Sequence, residues 1–461
     1  MESDVHDHQA GTNAASGWPS PARAWYAVAV FTLITILAFV DRQLLVLLVE
    51  PIKADLNISD TKMSFLLGFA FIMFYAFLSL PIARLADVYS RKFIVACGVT
   101  LWSLMTAACG MAGSYWQLFL ARMGVGCGEA CNGPATFSII ADSFPPEKLA
   151  KATAVISSGF FVGNGLALIV GGAVIQAISG MPDLVLPLVG KVRPWQATFI
   201  VVGLPGLVLA FLAASVKEPR RRGVIAPGGA PAGRPRSLPL KEILRWLRSD
   251  WKTYLPMYGG MSLRAMYGLG AAVWIPAFFI RTYGWSIGQV GLAVGLVQLT
   301  LAPAGLLAGG WFAERLARRG MDDANMRVTL ISTVAAVPTS ILFPLLPDPY
   351  WAVIVYGINT FLVSLSPGPQ NAALQTVTPN QIRAQATAMF LFLFNLIGFG
   401  IGPLIVALFT DYLFGSEHML RYSLSLNFAL LSPPACLVFW YVLKPYRASV
   451  ARAREREKSI V

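Results

Sequence analysis

The chain is poor in charge. Only 13% of its 461 residues are Asp, Glu, Lys or Arg, where a soluble domain averages about a quarter. The shortage runs along almost the whole length and excludes an ordinary soluble enzyme or binding module. With 56% apolar residues, it marks a polytopic membrane protein. Histidine is scarcer still: His6, His8 and His418 lie in a tail or an outer loop. The five cysteines, Cys97, Cys109, Cys127, Cys131 and Cys436, form no CxxC pair and have no histidine cluster beside them. Neither a metal site nor a disulfide framework is expected, and no cofactor. Cys127 and Cys131, spaced i and i+4, read as small packing residues. No nucleophile–base constellation is visible, which argues against an enzyme. The opening "MESDVHDHQAGTNAASGWPSPAR" lacks the basic-then-apolar pattern of a signal peptide and is expected to be a disordered tail.

What is present is a series of apolar runs of helical length. They fall at 25–50, 62–83, 92–113, 116–141, 153–180, 195–216, 252–280, 286–313, 327–346, 350–375, 384–413 and 420–444. None alternates strictly, so the expectation is an all-α polytopic protein with twelve transmembrane helices in two six-helix repeats, and not a barrel. The implied organisation is a tail over 1–23, a six-helix bundle over 24–216, a linker over 217–250, a second bundle over 251–445 and a basic tail over 446–461. The linker opens with Gly, Pro and Arg and ends in "LPLKEILRWLRSDW". There Leu240, Ile243, Leu244 and Leu247 make a stripe flanked by Lys241, Arg245 and Arg248, the pattern of an interfacial helix on an anionic leaflet.

A net charge of +13 would suggest nucleic acid in a soluble chain. Here the basic residues fall after every second helix, at Arg84, Arg91, Lys92, Lys148, Lys151, Arg315, Arg318, Arg319, Arg383 and Arg447. They set topology: both termini cytoplasmic, the bilayer as partner and no nucleic acid. Short loops and the lack of a sorting signal fit a bacterial inner membrane.

The halves repeat. "ARLADVYSRK" at 83–92 returns as "GWFAERLARR" at 310–319, "PPEKLAKATA" at 145–154 as "PNQIRAQATA" at 379–388, and Gly133-Pro134 as Gly368-Pro369, each about 230 residues later. Two repeated six-helix halves are a transporter architecture with a central site.

The acid followed by basic residues in both the 2–3 and 8–9 loops resembles the signature of the major facilitator superfamily. The first copy has Ala83, Val88 and Ser90 where the signature has glycine, a basic residue and glycine; the second keeps Gly310 and Arg315 but has Ala317 for glycine. Within the superfamily, "FVDRQ" at 39–43, "RMGVGCGEA" at 122–130, "SIIADSFPPEKLAKATA" at 138–154 and "VKEPRR" at 216–221 resemble the Spinster family. That resemblance implies secondary transport of lysolipids, sphingolipid phosphates or related amphiphiles, commonly linked to protons. The superfamily signature implies in turn that Asp87, Arg91, Glu314 and Arg318 brace the cytoplasmic face, a gate closed when the protein opens outward.

Charges inside the apolar runs are candidates for function. Asp41 lies about 14 Å from the outer end of helix 1, and Arg122 and Glu129 about 9 Å and 20 Å down helix 4, at 1.5 Å per residue. Seven residues put Arg122 and Glu129 on one helix face. A carboxylate in low dielectric favours its neutral form and an arginine beside it the ionised form, so Asp41, Glu129 and Arg122 are expected to form a proton-coupling cluster. A purely structural ion-pair network pinning helix 1 to helix 4 is the competing reading. The repeat places Ser364 and Gly357 where Glu129 and Arg122 stand, so a proton site belongs to the first half. Arg42 and Arg264 are the candidates for an anionic head group, with Asn132 and Asn371 as polar cavity residues. The glycines of helix 4 serve close packing against helix 2 or 5, a hinge, or both.

The expected function is a monomeric, proton-coupled transporter of an anionic amphiphile working by alternating access. The alternatives are a carrier of small organic anions or drugs and, further off, a non-transporting membrane sensor or lipid enzyme.

Overall fold

The computed structural model describes residues 18–180, 184–186, 190–221 and 240–458. The expected disordered tail up to residue 17, most of the linker and the side chains of Asp87, Leu240, Lys241, Ile243 and Leu244 lie outside the described residues. A long apolar segment in lipid has no water to satisfy its amides, and the helix satisfies them within the segment. The chain accordingly forms helix after helix: α1 (Pro21–Leu47), α2 (Asp60–Ser64, a π-helical turn Phe65–Phe69, then Ala70–Val88), α3 (Arg91–Cys109), α4 (Tyr115–Glu129 and Asn132–Ser143), α5 (Pro146–Ser179) and α6 (Pro194–Gly203 and Pro205–Ser215). After the short helix Leu240–Ser249 come α7 (Trp251–Ala272 and Ile275–Tyr283), α8 (Ile287–Arg318), α9 (Ala324–Leu342), α10 (Pro349–Ser364 and Pro367–Val377), α11 (Asn380–Asn395, a π-helical turn Leu396–Ile401, then Gly402–Leu408 and Phe409–Leu413) and α12 (Leu420–Lys458).

Local signals start these helices. Proline, which lacks the amide that a first turn leaves unpaired, opens α1, α5, α6 and α10. The Asp348 carboxylate accepts from the Tyr350 and Trp351 amides at 2.9 and 3.1 Å, and Ser286 and Gln289 make a capping box at the head of α8.

The chain divides into two compact units. One comprises Met1–Asn57 and Ala70–Ala232, the other Ile58–Phe69 and Gly233–Val461. The expected halves would keep all of α2 in the first bundle. The first part of α2 instead packs on α11 within the second unit, where a Cβ on Gly68 would lie 2.0 Å from the Phe399 carbonyl oxygen. Within the first unit α1 packs on α5, α3 on α4 and α6, and α2 on α4. Within the second α7 packs on α11 and α12, α9 on α10 and α12, and α8 on α10. The internal packing repeats as the sequence does.

Among the described residues 10 helices are long and apolar enough to cross a membrane, and 11 if the two pieces of α7, bent by 43°, count as one. The span outside that number is α4. It breaks after Glu129 because Pro134 has no amide to offer the Ala130 carbonyl and its ring crowds it, and its charges lower its apolarity. Two further departures from expectation are a short antiparallel hairpin pairing Leu184–Leu186 with Gly190–Val192 between α5 and α6, and the continuation of α12 as helix to Lys458 instead of stopping near residue 444. The short helix Leu240–Ser249 forms as the spacing indicated, but its Leu247 is buried and the helix packs on α7 and α11.

Candidate functional site

The first unit holds its charges between α1, α3 and α4. Asp41 is fully buried on α1, and Arg122 and Glu129 on α4 are each 2% exposed. Three side chains of these types converge where helices approach closely. A Cβ on Gly126 would stand 2.4 Å from the Phe71 carbonyl oxygen, and one on Gly128 2.6 Å from the Trp102 amide nitrogen. The α4 glycines therefore let α2 and α3 come within backbone contact of the helix that carries both charges; of the expected packing partners, α2 holds, and α3 takes the place of α5. Gly133 meets nothing within 4 Å.

The structure joins the charged groups in a particular way. Arg42 donates from Nε and Nη2 to Glu129 Oε2, at 2.9 and 2.5 Å. Its guanidinium sits among three rings, 4.5 Å from Phe71, 5.3 Å from Tyr75 and 5.4 Å from Phe39, an arrangement that holds a cation by the ring quadrupoles. Asp41 accepts a hydrogen bond from the Thr106 hydroxyl of α3 at 3.2 Å and lies within Coulombic reach of Glu129, Arg122 and Arg42. Arg122 makes no ion pair among the described residues; its closest ring is Phe71 at 5.6 Å. Asp41 Oδ1, Arg122 Nε and Glu129 Oε1 are buried without a hydrogen-bond partner. Buried polar atoms are almost always paired, and such exceptions gather at functional sites. Asp41, Arg122 and Glu129 are thus brought together as the spacing indicated, while the direct partner of Glu129 is Arg42, the arginine expected at the substrate head group. Thr106 and the aromatic cage escaped the sequence reading. Phe39 and Arg42 at i, i+3, and Phe71 and Tyr75 at i, i+4, are the signal that could have shown the cage.

Asn132 accepts from Thr136 one turn along, at 2.9 Å. In the second unit Arg264 on α7 is half-buried and donates to the Val363 main-chain oxygen at 2.7 Å; no carboxylate pairs with it among the described residues. Asn371 is exposed, and its neighbour Gln370 is buried with Nε2 unpartnered.

The loop residues behave differently in the two units. Arg91 is 2% exposed and binds five groups on four residues: the Glu218 carboxylate at 3.0 Å, the Ser138 hydroxyl and carbonyl at 3.0 and 3.2 Å, the Pro219 carbonyl at 3.1 Å, and Asp142 by an ion pair. Glu218 also accepts from the Ser90 hydroxyl and the Arg91 amide. Burial alone would raise its carboxyl, but these bonds and the Arg91 charge hold it below the ordinary glutamate value. The repeat partner of Arg91, Arg318, pairs with Glu314 one turn away on an open surface, 76% and 60% exposed. The buried anchor of the second unit is Asp323, which accepts from Arg327 at 3.0 Å and Arg447 at 2.8 Å. Burial opposes that charge too, and the two arginines override it and hold the carboxyl low. Asp323 carried a local signal in Arg327 at i, i+4, whereas Asp142 and Glu218 were not singled out in the sequence because their partners lie far along the chain. The same holds for Asp60, bound by Arg281 through two bonds of 2.6 and 2.8 Å, and for Asp411, which accepts from the Thr61 amide and hydroxyl at 2.7 and 2.6 Å, all within the second unit.

Two repeated helical units with buried charges define a membrane transporter. The chain belongs to the Major Facilitator Superfamily, whose family model matches residues 31–403. It is 31% identical over 436 residues, 93% of this chain and 95% of the relative, to an "MFS-type efflux pump" of Mycolicibacterium smegmatis. It is 30% identical over 283 residues, 61% of this chain and 50% of the relative, to human "Protein spinster homolog 1". Among solved structures it resembles a bacterial homolog of the human lysosomal transporter Spinster, in an inward-facing and unoccupied conformation, with TM-score 0.74 and 25% identity over 94% of this chain and 95% of that one. The superfamily membership and the likeness to Spinster proteins expected from the sequence both hold, and the chain is a transporter of the superfamily, not an enzyme.

Proposed function

We propose that this protein is a proton-coupled secondary transporter of an anionic amphiphile, of the lysolipid or sphingolipid-phosphate class, working by alternating access. The observation that carries the reading is the Arg42–Glu129 pair, with Glu129 only 2% exposed and Arg42 held by three rings. A proton on Glu129 removes the charge that binds Arg42. The guanidinium, still caged, is then free for an anionic group. Asp41 and Glu129 carry the proton, since an arginine does not release its own; Arg122 is the fixed counter-charge beside both. Arg264, with no carboxylate partner among the described residues, is the second anion contact, and Asn132 and Asn371 supply polar lining. The Arg91 network and the Glu314–Arg318 pair, with Asp87, brace the cytoplasmic face. The protein works as a monomer in the inner membrane, both termini cytoplasmic, as the placement of basic residues directs.

The test is substrate-driven pH change in proteoliposomes. Glu129→Gln and Asp41→Asn should each uncouple uptake from proton movement; coupling intact in both sinks the proposal. Arg264→Ala should weaken phosphorylated lipids more than neutral ones. A second reading, export of small organic anions or drugs, is favoured by the efflux pump of M. smegmatis that the chain resembles. A substrate panel of lysolipids against small acids and drugs separates the two.

A further inference from the structure

Between the end of the short helix Leu240–Ser249, the start of α7 and the last turns of α12 lies a cleft of about 470 Å³ lined by Trp246, Ser249, Asp250, Trp251, Lys252 and Arg452. It is internal to the second unit, and none of its lining residues belongs to the Asp41, Arg42, Arg122 and Glu129 cluster. Its single acid is already engaged. Asp250 accepts from Arg452 Nη2 at 2.7 Å and from the Ser449 hydroxyl at 2.7 Å. The other Arg452 nitrogens have no partner among the described residues, and the side chain is 48% exposed. Lys252 and Arg248 are exposed, and Trp251 is 51% exposed. Trp246 is fixed edge-on against Tyr254, centroids 5.1 Å apart. Two cations and two indoles around a cleft in the size range of small-molecule sites match one kind of ligand; the Ser249 hydroxyl already donates to the Trp246 carbonyl at 2.7 Å. Phosphate suits the cations. Indole rings suit the boundary between headgroups and acyl chains.

We propose that this cleft binds the headgroup of an anionic phospholipid of the cytoplasmic leaflet, with Lys252 and Arg452 on its phosphate and Trp246 and Trp251 against its glycerol and upper acyl chain. The leaflet rests on the orientation proposed above; the binding itself does not. A lipid seated there touches the start of α7 and the end of α12 at once, and so ties the stability of the second unit to the composition of the bilayer.

Native mass spectrometry of the full chain in detergent, with phosphatidylglycerol or phosphatidylcholine added at equal concentration, tests this. The wild type should retain phosphatidylglycerol preferentially. Lys252→Ala/Arg452→Ala should reduce that preference about tenfold, from two basic contacts of which one is partly engaged. Arg319→Ala, a basic residue on the same side outside the cleft, should keep it. Retention of both lipids alike by the wild type overturns the proposal. So does an unchanged preference in a double variant that elutes as folded protein, or an equal loss in Arg319→Ala. Displacement of the lipid by millimolar inorganic phosphate would make this a bare anion site and overturn the lipid assignment. A C-terminal tag reached by an impermeant reagent in whole cells would overturn the leaflet, whatever the lipid binding shows.

Discussion

The Arg42–Glu129 contact makes a quantitative demand on stability. Arg42→Ala removes both hydrogen bonds to a carboxylate that is 2% exposed and whose other oxygen already lacks a partner. Breaking a buried pair from one side costs about 3–5 kcal/mol, because the remaining charge is stranded. Arg122 lies within Coulombic reach of Glu129 and offsets part of this, so the expected loss is about 3 kcal/mol. Glu129→Gln strands less. The amide oxygen still accepts from Arg42, and the rings of Phe39, Phe71 and Tyr75 still hold the cation, so the loss is about 1–2 kcal/mol. Arg42→Ala/Glu129→Gln leaves neither partner of the pair charged. Its loss should fall below the sum of the single losses by about 1.5–2 kcal/mol. The double variant should be no worse than Arg42→Ala alone. Equilibrium unfolding in mixed detergent micelles reads all four proteins. Additive losses would show that the two residues do not share a bond, and with it would go the idea that a proton on Glu129 releases Arg42.

Other consequences are quicker to check. The Glu218 carboxyl is held below its free value of 4.5, so its contribution to stability is complete above about that pH and is lost as the pH falls through the folded value; Glu218→Gln should flatten the acid limb of a thermal-stability profile while lowering stability at neutral pH. Arg91→Lys cannot span Glu218, Asp142, Ser138 and Pro219 with one ammonium group and should cost about 2–3 kcal/mol, read as a lowered unfolding midpoint. Gly126→Ala drives a methyl into the Phe71 carbonyl and should cost about 1–3 kcal/mol, whereas Gly133→Ala, which meets nothing within 4 Å, should be neutral or stabilising by up to about 1 kcal/mol. Equal effects at the two glycines would refute the packing role given to Gly126.

Much of the fold was legible because membrane helices are written in composition. Apolar runs and basic punctuation needed no long-range information. Helix faces were legible too: seven residues between Arg122 and Glu129 put both in one buried cluster with Asp41. Pairing was not. Arg42 neighbours Asp41 in sequence, yet the two side chains leave α1 in different directions, and only the approach of α2 and α4 decides that Arg42 meets Glu129. The Arg91 network draws on α3, α4 and the segment after α6, and no periodicity within one helix announces such a junction. The repeat misled at one point. Arg91 and Arg318 occupy equivalent positions in sequence, but one is a buried anchor and the other lies on an open helix surface, with Asp323 holding Arg327 and Arg447 instead.

Arg264 is fastened to a main-chain carbonyl, an acceptor that has no proton to gain over any physiological pH. Arg42 is fastened to an acid. On the proposed reading the two guanidinium groups answer to different controls: a proton on Glu129 releases one, and the other is indifferent to it. If both receive the anionic cargo, its affinity should show a floor that persists at alkaline pH, set by Arg264, and an added increment on the acid side, set by Arg42. A titration of cargo affinity against pH in Arg264→Ala should then fall towards zero at the alkaline end, where the wild type keeps a plateau.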